Sequence, residues 1–520
     1  MNTFAITAAW IAASANLVAS QSAPPPCAKL DVINVSSCFG YSETDNTQFL
    51  QAAIDTGAKK IIIANLGPGK NRWIAQTLQL RKPNQTIFFE DGVVLEAMRG
   101  AFKSTGLGFL MGQHRLPGLT LSGYGATVKM WREDYANKAL YNHSEDRHAF
   151  QCVSCADLTI MGLTFLESGG DGLMLGGGGM SNLHVKDVVC DRNYRQGMTL
   201  DGAQGALIEN TIFSNTHGTN PQSGVDMEPD LAGDTLENIT FRNCTAFNNS
   251  GKGFEISAWP LKNSSVTVTW ENCSVINAQN WAFMFNIPNA NNSGLVNLTN
   301  VYIGNSSGAA LEFYNKPLAG PGVVIDQLTI DGVNSARSHP IEFSSNRLQS
   351  MRIPSLRLYA LHELSQFPNE FLSSIAFVHF IRCPAFLSDF VHDSLFLITG
   401  AGTTVKHGTQ GGVSITNSTI IDDIDRPFAT HDTTALANVT LDVLNPLNMM
   451  LQCQSVVYCH WCRLRVSIGF VAVQVTVLNS KGAQLGCTAA LGQNETDVKV
   501  SVRCNPKRGL SATPTGTIDY

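Results

Sequence analysis

Three acidic residues in the middle of the chain have the types and the spacing that acid–base chemistry requires. Asp226 and Glu228 lie two positions apart in GVDMEPD, and Asp201 lies in GMTLDG. On a β-strand, residues two positions apart point to the same side, about 7 Å apart at the backbone, and neighbouring strands are separated by about 4.8 Å. Carboxyl groups this close raise one another's pKa, which leaves a proton donor beside an ionised partner.

Such a pair is what glycoside hydrolysis uses. The two carboxyl groups lie about 5 Å apart in retaining enzymes and about 6.5–9.5 Å apart in inverting ones, and both separations are available among these three acids. We predict that Asp226 and Glu228 are the catalytic acid and the base or nucleophile, and that Asp201 tunes them.

Residues around these acids are predicted to bind the substrate. Arg195 either binds an acidic sugar or neutralises nearby acids, His217 serves acid–base work or holds its loop, and Trp259 either stacks on a sugar ring or covers an edge. The predicted substrate-binding set is Asp171, Arg195, His217, Lys252, Glu255 and Trp259, with Asp171 also a reserve catalytic candidate. No metal or other cofactor is predicted, although clustered carboxylates leave calcium possible.

The acids belong to a repeat. A small residue followed by alternating apolar and polar positions recurs in steps of 25, 27, 29, 29, 28 and 30 residues, which is a solenoid period. When the repeats are aligned on this frame, the first and third residues after the small residue are apolar in every repeat, and we expect both columns to point into a core. The second residue, between them, is expected to point outward. The outward column is Met174, Thr199, Asp226, Glu255, Met284, Glu312 and Glu342.

A second β pattern in each repeat carries asparagine at two fixed positions. Stacked amides at a turn hydrogen-bond along the stack, and asparagine tolerates the left-handed backbone that such turns need. One position is occupied by Asn210, Asn243, Asn272 and Asn300, and the other, five residues later, by Asn215, Asn248, Asn277 and Asn305. We expect these amides to be buried and therefore not glycosylated, although several lie in glycan acceptor tripeptides.

These patterns predict an all-β fold: a single-stranded right-handed parallel β-helix, with an N-terminal cap helix over residues 45–56 and irregular C-terminal additions. The predicted divisions are a signal peptide at 1–20, the β-helix with its cap at 21–345, an irregular insertion at 346–412, and the last turns and C-terminal strands at 413–520.

Composition bounds the function. A net charge of −6 gives no footprint for nucleic acid, no stretch after the leader reads as a membrane span, and we expect a secreted, extracellular monomer with a polysaccharide as its partner. Thirteen cysteines predict disulfides. The expected pairs are Cys27–Cys38, Cys487–Cys504 and Cys459–Cys462, while Cys244 and Cys273 read as stacked thiols or a bridge. Exposed acceptor tripeptides, at Asn142 for example, predict N-glycosylation.

The middle of the chain, SGGDGLML through NYRQGMTL to GVDMEPD, resembles the pectin-lyase-like superfamily of carbohydrate-active β-helix proteins. DNTQFLQAAIDTGAKKIII is similar to that superfamily's cap helix and first strand. The resemblance covers roughly residues 28–345 and implies the fold rather than a reaction, because the superfamily holds hydrolases, lyases, epimerases and adhesins. The NTD, DD, GHG and RIK motifs of polygalacturonases and the YDPH-like signature of alginate epimerases are absent, so polygalacturonase activity is not expected.

Three functions remain open at this stage. The leading one is a secreted glycoside hydrolase that acts on a polysaccharide in a groove, with Asp226 and Glu228 at its centre. The second is a lyase or C5-epimerase acting on uronate polymers, with His217, Arg195 or Tyr194 as the base; the acidic groove disfavours it unless a metal is present. The third is a glycan-binding or surface protein without turnover.

Overall fold

The computed structural model describes Cys27, residues 29–177, 179–333 and 340–344, and the backbone of seven later strands between residues 410 and 504. The predicted signal peptide at 1–20 lies outside these residues. So does the predicted insertion at 346–412, apart from residues 410–412, which open a strand.

Within the part of the chain that the structure describes, short helices occur at three places. They are α1 (Val35–Cys38), α2 (Thr47–Asp55) and α3 (Arg132–Ala136). Helix α2 lies inside the predicted span 45–56 and buries Leu50, Ala53 and Ile54, while its role as a cap stays a prediction. Within the described residues, no helix has the length and apolar character needed to cross a membrane.

Strands make up the rest of the regular structure, and the first thirteen precede the predicted catalytic acids. They are β1 (Val32–Asn34), β2 (Lys60–Ile63), β3 (Arg72–Ala75), β4 (Leu78–Leu80), β5 (Thr86–Phe89), β6 (Val94–Ala97), β7 (Leu110–Gly112), β8 (Thr120–Lys129), β9 (Phe150–Val153), β10 (Thr159–Leu166), β11 (Leu173–Gly176), β12 (Ser181–Lys186) and β13 (Val189–Asp191).

The next fourteen strands run through the regular repeats. They are β14 (Met198–Leu200), β15 (Ala203–Glu209), β16 (Ile212–Ser214), β17 (Val225–Met227), β18 (Leu236–Arg242), β19 (Thr245–Phe247), β20 (Phe254–Ser257), β21 (Ser265–Glu271), β22 (Ser274–Ile276), β23 (Phe283–Asn286), β24 (Ser293–Ser306), β25 (Leu311–Tyr314), β26 (Gly322–Val333) and β27 (Ile341–Ser344).

The last seven strands are described by their backbone. They are β28 (Gln410–Ile421), β29 (Phe428–Thr430), β30 (Leu436–Leu444), β31 (Cys462–Ile468), β32 (Val473–Asn479), β33 (Cys487–Asn494) and β34 (Asp497–Cys504). The pairs β30–β31, β31–β32 and β33–β34 are antiparallel, whereas the repeats upstream pair in parallel.

Each winding of the chain, called a coil below, gives one strand to an eleven-stranded sheet, and the rest of the coil lies in a second, larger sheet. The eleven-stranded sheet is β4, β7, β9, β11, β14, β17, β20, β23, β25, β27 and β29 in order. Its strands pair as the repeat predicted: Leu173 with Met198, Met198 with Val225, and Val225 with Phe254. The predicted parallel β-helix and its register are confirmed.

The two inward columns of this sheet form the core. Val225, Met227 and Phe254 are fully buried. The aromatic members stack from coil to coil, with 5.2 Å between the ring centroids of Phe254 and Phe283. Parallel winding thus places one side chain on the next, which holds the outer face of the same strands in fixed rows.

Asparagines at the turns adopt the predicted backbone. All eight have φ between 51° and 57°, the left-handed region that asparagine tolerates. Their amides connect neighbouring coils: Nδ2 of Asn248 donates to Oδ1 of Asn215 at 2.7 Å, and Nδ2 of Asn215 donates to Asp191 at 2.7 Å. The expectation that these amides are buried was wrong, because Asn243 and Asn248, for example, lie exposed on the outer edge of the coil.

The cysteines are partly as predicted. Cys27 and Cys38 form the expected disulfide, and Cys244 and Cys273 are buried free thiols. A second disulfide, Cys152–Cys155, was not predicted. The side chains of the other two predicted pairs lie outside the described residues.

Candidate active site

On the outer surface of the β-helix, five neighbouring strands (β9, β11, β14, β17 and β20) carry rows of mostly polar side chains. This surface is called the site face below. The parallel pairing aligns these strands residue by residue, so that equivalent positions stack. The row two residues before each strand is His148, Asp171, Gln196, Ser223 and Lys252. The row at the second residue of each strand is Gln151, Met174, Thr199, Asp226 and Glu255.

The predicted catalytic acids lie together on this face, but two of the three are buried rather than open to solvent. Asp226 alternates with the core residues Val225 and Met227, so it points away from the core, yet it is only 1% exposed, and Asp201 is 6% exposed. The side chain of Glu228 is 38% exposed. Glu228 is therefore the member of the predicted catalytic trio that a ligand on this face meets directly.

Glycine makes room for one of these acids. Gly176 precedes Asp201 by one coil in the same row, and a β-carbon at Gly176 would overlap Oδ2 of Asp201. The carboxyl group of Asp201 thus occupies space that any side chain at position 176 would fill.

A run of hydrogen bonds connects Asp171 to Asp226 across the face. Thr199 Oγ1 lies 2.7 Å from Oδ2 of Asp171 and also faces Oε1 of Gln196, so these two oxygens share its one hydroxyl proton. The amide Nε2 of Gln196 donates to Oδ2 of Asp226 at 2.8 Å. The other oxygens, Oδ1 of Asp171 and Oδ1 of Asp226, are buried without a hydrogen-bond partner among the described residues.

Arg195 is the cation at the centre of the acids. Its guanidinium nitrogens lie 3.5 Å from carboxylate oxygens of Asp171, Glu228 and Glu145. These acids hold the pKa of Arg195 above its usual range in spite of burial, which opposes that shift. Arg195 thus stays charged and joins three segments of the face.

Lys252 supplies the second positive charge. Its Nζ donates to Oε2 of Glu255 at 2.7 Å, and the hydroxyl of Ser223 lies 3.3 Å from the same oxygen. Both side chains are largely buried, so this ion pair belongs to the floor of the site face.

The surroundings act differently on the pKa values of the acids. Burial, reinforced by Glu255 and Glu228, raises the pKa of Asp226 well above its usual value. Burial also raises the pKa of Glu228, but Arg195 opposes this rise. Burial thus favours the protonated form of both acids, and Arg195 is the second-largest influence on Glu228, whereas two acids reinforce burial at Asp226 before any cation counts.

The two acids beside this pair also differ in pKa. Burial, followed by Asp230 and Asp171, raises the pKa of Asp201 well above its usual value. Burial disfavours the charged form of Asp171 too, but His148 and Arg195 outweigh it and lower the pKa of Asp171. Among Asp171, Asp201, Asp226 and Glu228, Asp171 is consequently the one whose surroundings favour the ionised form.

His148 contacts Asp171 in two ways. Its Nδ1 lies 3.0 Å from the backbone nitrogen of Asp171 and 3.3 Å from Oδ2. In the neutral ring with the proton on Nε2, Nδ1 accepts the backbone N–H; in the charged ring, Nδ1–H faces the carboxylate. The imidazole thus provides Asp171 with a counter-charge only when it is protonated.

Most of the predicted binding residues join this cluster, and two do not. Asp171, Arg195, Lys252 and Glu255 lie on the face as described. Trp259 follows β20 at the edge and is 62% exposed. His217 is exposed, and no hydrogen bond or ion pair among the described residues joins its side chain to the acids.

Sequence reasoning missed His148, Thr199 and Gln196 as members of the site. The missing step was to extend the repeat one coil back, to Phe150, and two residues before each strand, where His148, Asp171 and Gln196 share a row. Glu145, which contacts Arg195, lies on a loop without a repeat signal.

The acids are also candidate ligands of a metal ion. Among the described residues, no cluster of three or more histidines, cysteines and acids has the arrangement needed to hold a metal ion. Calcium, which the acids had left possible, gains no support from this arrangement.

Comparisons with known proteins concern the same region. The family described as "Right handed beta helix region" matches residues 137–286, which include β9 to β23. No curated protein matches the sequence.

Solved structures with a similar winding share little sequence with this chain. A hyperthermoactive exopolygalacturonase from Thermotoga maritima is 10% identical, covering 85% of this chain and 95% of its own, with a TM-score of 0.46. The A-module of a mannuronan C-5 epimerase from Azotobacter vinelandii is 14% identical, covering 78% and 98%, with a TM-score of 0.45. A family 28 exopolygalacturonase from Yersinia enterocolitica is 11% identical, covering 79% of both chains, with a TM-score of 0.46.

At such identities the reactions of these proteins do not carry over to this chain. The strand register and the family match concern the fold, and they agree. This chain is a right-handed parallel β-helix protein.

Proposed function

We propose that this protein is a secreted, monomeric glycoside hydrolase that cleaves a polysaccharide lying across the site face. The observation that carries the proposal is the geometry of two acids at β17: Asp226 is buried on the strand, and Glu228, two residues later, is partly exposed and contacts Arg195. An acid that keeps its proton beside one that releases it is the requirement of glycosidic bond cleavage.

The roles follow from burial and charge. Protonated Asp226 donates its proton to the glycosidic oxygen, and ionised Glu228, held by Arg195 at 3.5 Å, takes a proton from the water that attacks the anomeric carbon. A separation of about 7 Å at the backbone leaves room for that water and favours inversion. The proposal requires the sugar to displace the side chains that cover Asp226.

Uronate lyases and epimerases need a cation that neutralises the substrate carboxylate. Arg195 and Lys252 are the cations of the face, and both already contact carboxylates of the protein. This arrangement favours hydrolysis over elimination or epimerisation.

The test is a panel of polysaccharides incubated with the secreted protein. Hydrolysis releases reducing ends without the ultraviolet absorbance of an unsaturated sugar, elimination produces that absorbance, and a binding protein produces neither. We expect reducing ends alone, and their loss in Asp226→Asn and Glu228→Gln. Glu237→Gln on β18, in the other sheet, is the matched control and should keep full activity.

The stereochemistry of the product tests the pairing itself. Inversion, read by the anomeric proton signals of the first product, agrees with Asp226 and Glu228 as partners. Retention would point instead to Asp201 and Glu228, which stand in the same row of neighbouring coils about 4.8 Å apart at the backbone. Activity that survives both Asp226→Asn and Glu228→Gln would overturn the site.

A further inference from the structure

The charges that a ligand meets at the site face are negative. The side chains of Glu145 and Glu228 are 46% and 38% exposed, and Asp230 is exposed beside them. The two cations are far less accessible, with 19% of the Arg195 side chain and 13% of the Lys252 side chain exposed. An approaching polymer therefore meets carboxylates before it meets a positive charge.

The positive charges are also already engaged. Arg195 is shared among Asp171, Glu228 and Glu145, and Lys252 contacts Glu255. Against these two cations stand the acids just named together with Asp201, Asp226 and Asp230. The acids outnumber the cations even if two of them are protonated.

Independent evidence for a missing donor comes from a buried oxygen of Asp171. Its Oδ1 has no hydrogen-bond partner among the described residues, although Asp171 is fully buried and its lowered pKa favours the ionised form. Buried polar atoms are nearly always paired in folded proteins, so each such oxygen needs an explanation. A ligand that brings N–H donors to the floor of the face provides one.

We propose that the ligand of the site face is a polymer of amino sugars that carry free, protonated amines. This inference rests on the proposed function of the face as a polysaccharide site and names the class of polysaccharide. An ammonium group offers three donors and a positive charge, which suits Glu228 and Asp230 at the surface. An N-acetylated sugar offers one amide donor and no charge, and a uronate is repelled.

Apolar residues at the edge of the face suit the rings of such a polymer. Trp259 and Leu231 are 62% and 63% exposed. They lie on neighbouring loops, which the backbone hydrogen bond from Lys262 N to Ala232 O joins at 3.3 Å. Sugar rings have apolar faces that pack on exposed aromatic side chains, so Trp259 offers the polymer a platform at the edge of the face.

Calorimetry with matched oligosaccharides tests the inference. Glucosamine and N-acetylglucosamine oligomers of equal length differ only in charge and acetylation, and oligogalacturonate supplies the opposite charge. We expect the glucosamine oligomer to bind about tenfold or more tightly than the acetylated one, and its affinity to fall with added salt because exposed charges are screened. Oligogalacturonate should not bind.

Variants separate charge from shape. Asp230→Asn should weaken binding of the glucosamine oligomer about three- to tenfold and leave the acetylated oligomer unaffected, while Glu237→Gln in the other sheet should change neither. Equal or tighter binding of the acetylated or the anionic oligomer overturns the inference, and so does failure of the glucosamine oligomer to bind.

The outcomes also distinguish this inference from the proposed function. Cleavage of a neutral polysaccharide, without a preference for amines, would support the proposed hydrolase and overturn the amino-sugar inference. In the opposite outcome, the glucosamine oligomer binds tightly and in a salt-sensitive way without being cleaved, as mass spectrometry of the recovered ligand would show. That result would support the amino-sugar inference and overturn the proposed hydrolase.

Discussion

Gln196 donates a hydrogen bond from its side-chain amide to Oδ2 of Asp226, one coil away, at 2.8 Å. Gln196 is fully buried, and its Oε1 faces the hydroxyl of Thr199. Because Oδ2 receives the amide proton, the proton of a neutral Asp226 belongs on Oδ1. Gln196 therefore decides which oxygen of the predicted catalytic acid can donate.

Replacing Gln196 by methionine removes this donor while nearly keeping the volume. An N–H donor stabilises the ionised carboxylate more than the neutral acid, so its loss raises the pKa of Asp226 further. We expect the basic limb of the kcat profile to move to higher pH and kcat to fall about tenfold, in line with a less well-oriented general acid. The pH dependence of kcat and the infrared band of the protonated carboxyl group measure both effects.

The control for this variant is Gln204→Met on β15, an exposed glutamine of the other sheet. It should leave the profile unchanged. A basic limb that stays in place in Gln196→Met, with the infrared band unaltered, would show that Gln196 fills space without positioning Asp226.

Asp201 should make the protein less stable as the pH rises. Its folded-state pKa is raised, first by burial and then by Asp230 and Asp171, whereas an unfolded aspartate titrates near about 3.9. Between these two values the folded state binds more protons than the unfolded state, so the free energy of unfolding falls with rising pH. Asp201→Asn should raise the melting temperature by a few degrees at neutral pH and change it little near pH 4.

Asp171 should have the opposite effect on how stability depends on pH, and it gives a matched test. Its pKa is lowered despite burial, through His148 and Arg195, so its ionised form stabilises the fold above the unfolded value and that contribution is lost in acid. Asp171→Asn should lower the melting temperature at neutral pH and much less in acid. Equal shifts for the two variants at neutral pH would contradict the assigned charge states.

Much of the fold could be predicted because one small repeat dictates it. The residues at Gly172, Gly197, Gly224 and Gly253 set a frame in which every second side chain points inward, and parallel pairing turns that frame directly into stacked rows. The left-handed turn at Asn248 was predictable for the same reason, since few residue types accept that backbone.

The burial and the contacts of these rows could not be predicted, because they depend on residues outside the repeat frame. Asp226 was placed on the correct side of β17, but its burial depends on neighbours such as Gln196, whose register lies two positions before the strand. The contact between Glu145 and Arg195 joins a loop to a coil 50 residues later, and no local pattern indicates it. The repeat predicts which way a side chain points, whereas its burial and its ion-pair partners depend on the tertiary structure.

Trp259 gives a prediction about binding that is separable from catalysis. Its side chain is 62% exposed at the edge of the site face, so removing it should cost little stability. Trp259→Ala should raise KM about three- to tenfold and leave kcat nearly unchanged, the size expected for one aromatic contact. Phe247→Ala, at an exposed position on β19 of the other sheet, is the control. A fall in kcat without a change in KM would place Trp259 in the chemistry instead.

Asn248 tests whether the asparagine rows hold the coils together. It has φ of 52° and donates from Nδ2 to Asn215 at 2.7 Å. Asn248→Ala loses the hydrogen bond and also pays for a left-handed backbone, together about 1–3 kcal/mol, whereas Asn248→Gly loses only the hydrogen bond because glycine accepts this φ. We expect both to lower the melting temperature, alanine more than glycine. Equal losses would mean that the amide contact alone matters at this turn, and a glycine variant as stable as the wild type would mean that the backbone conformation alone does.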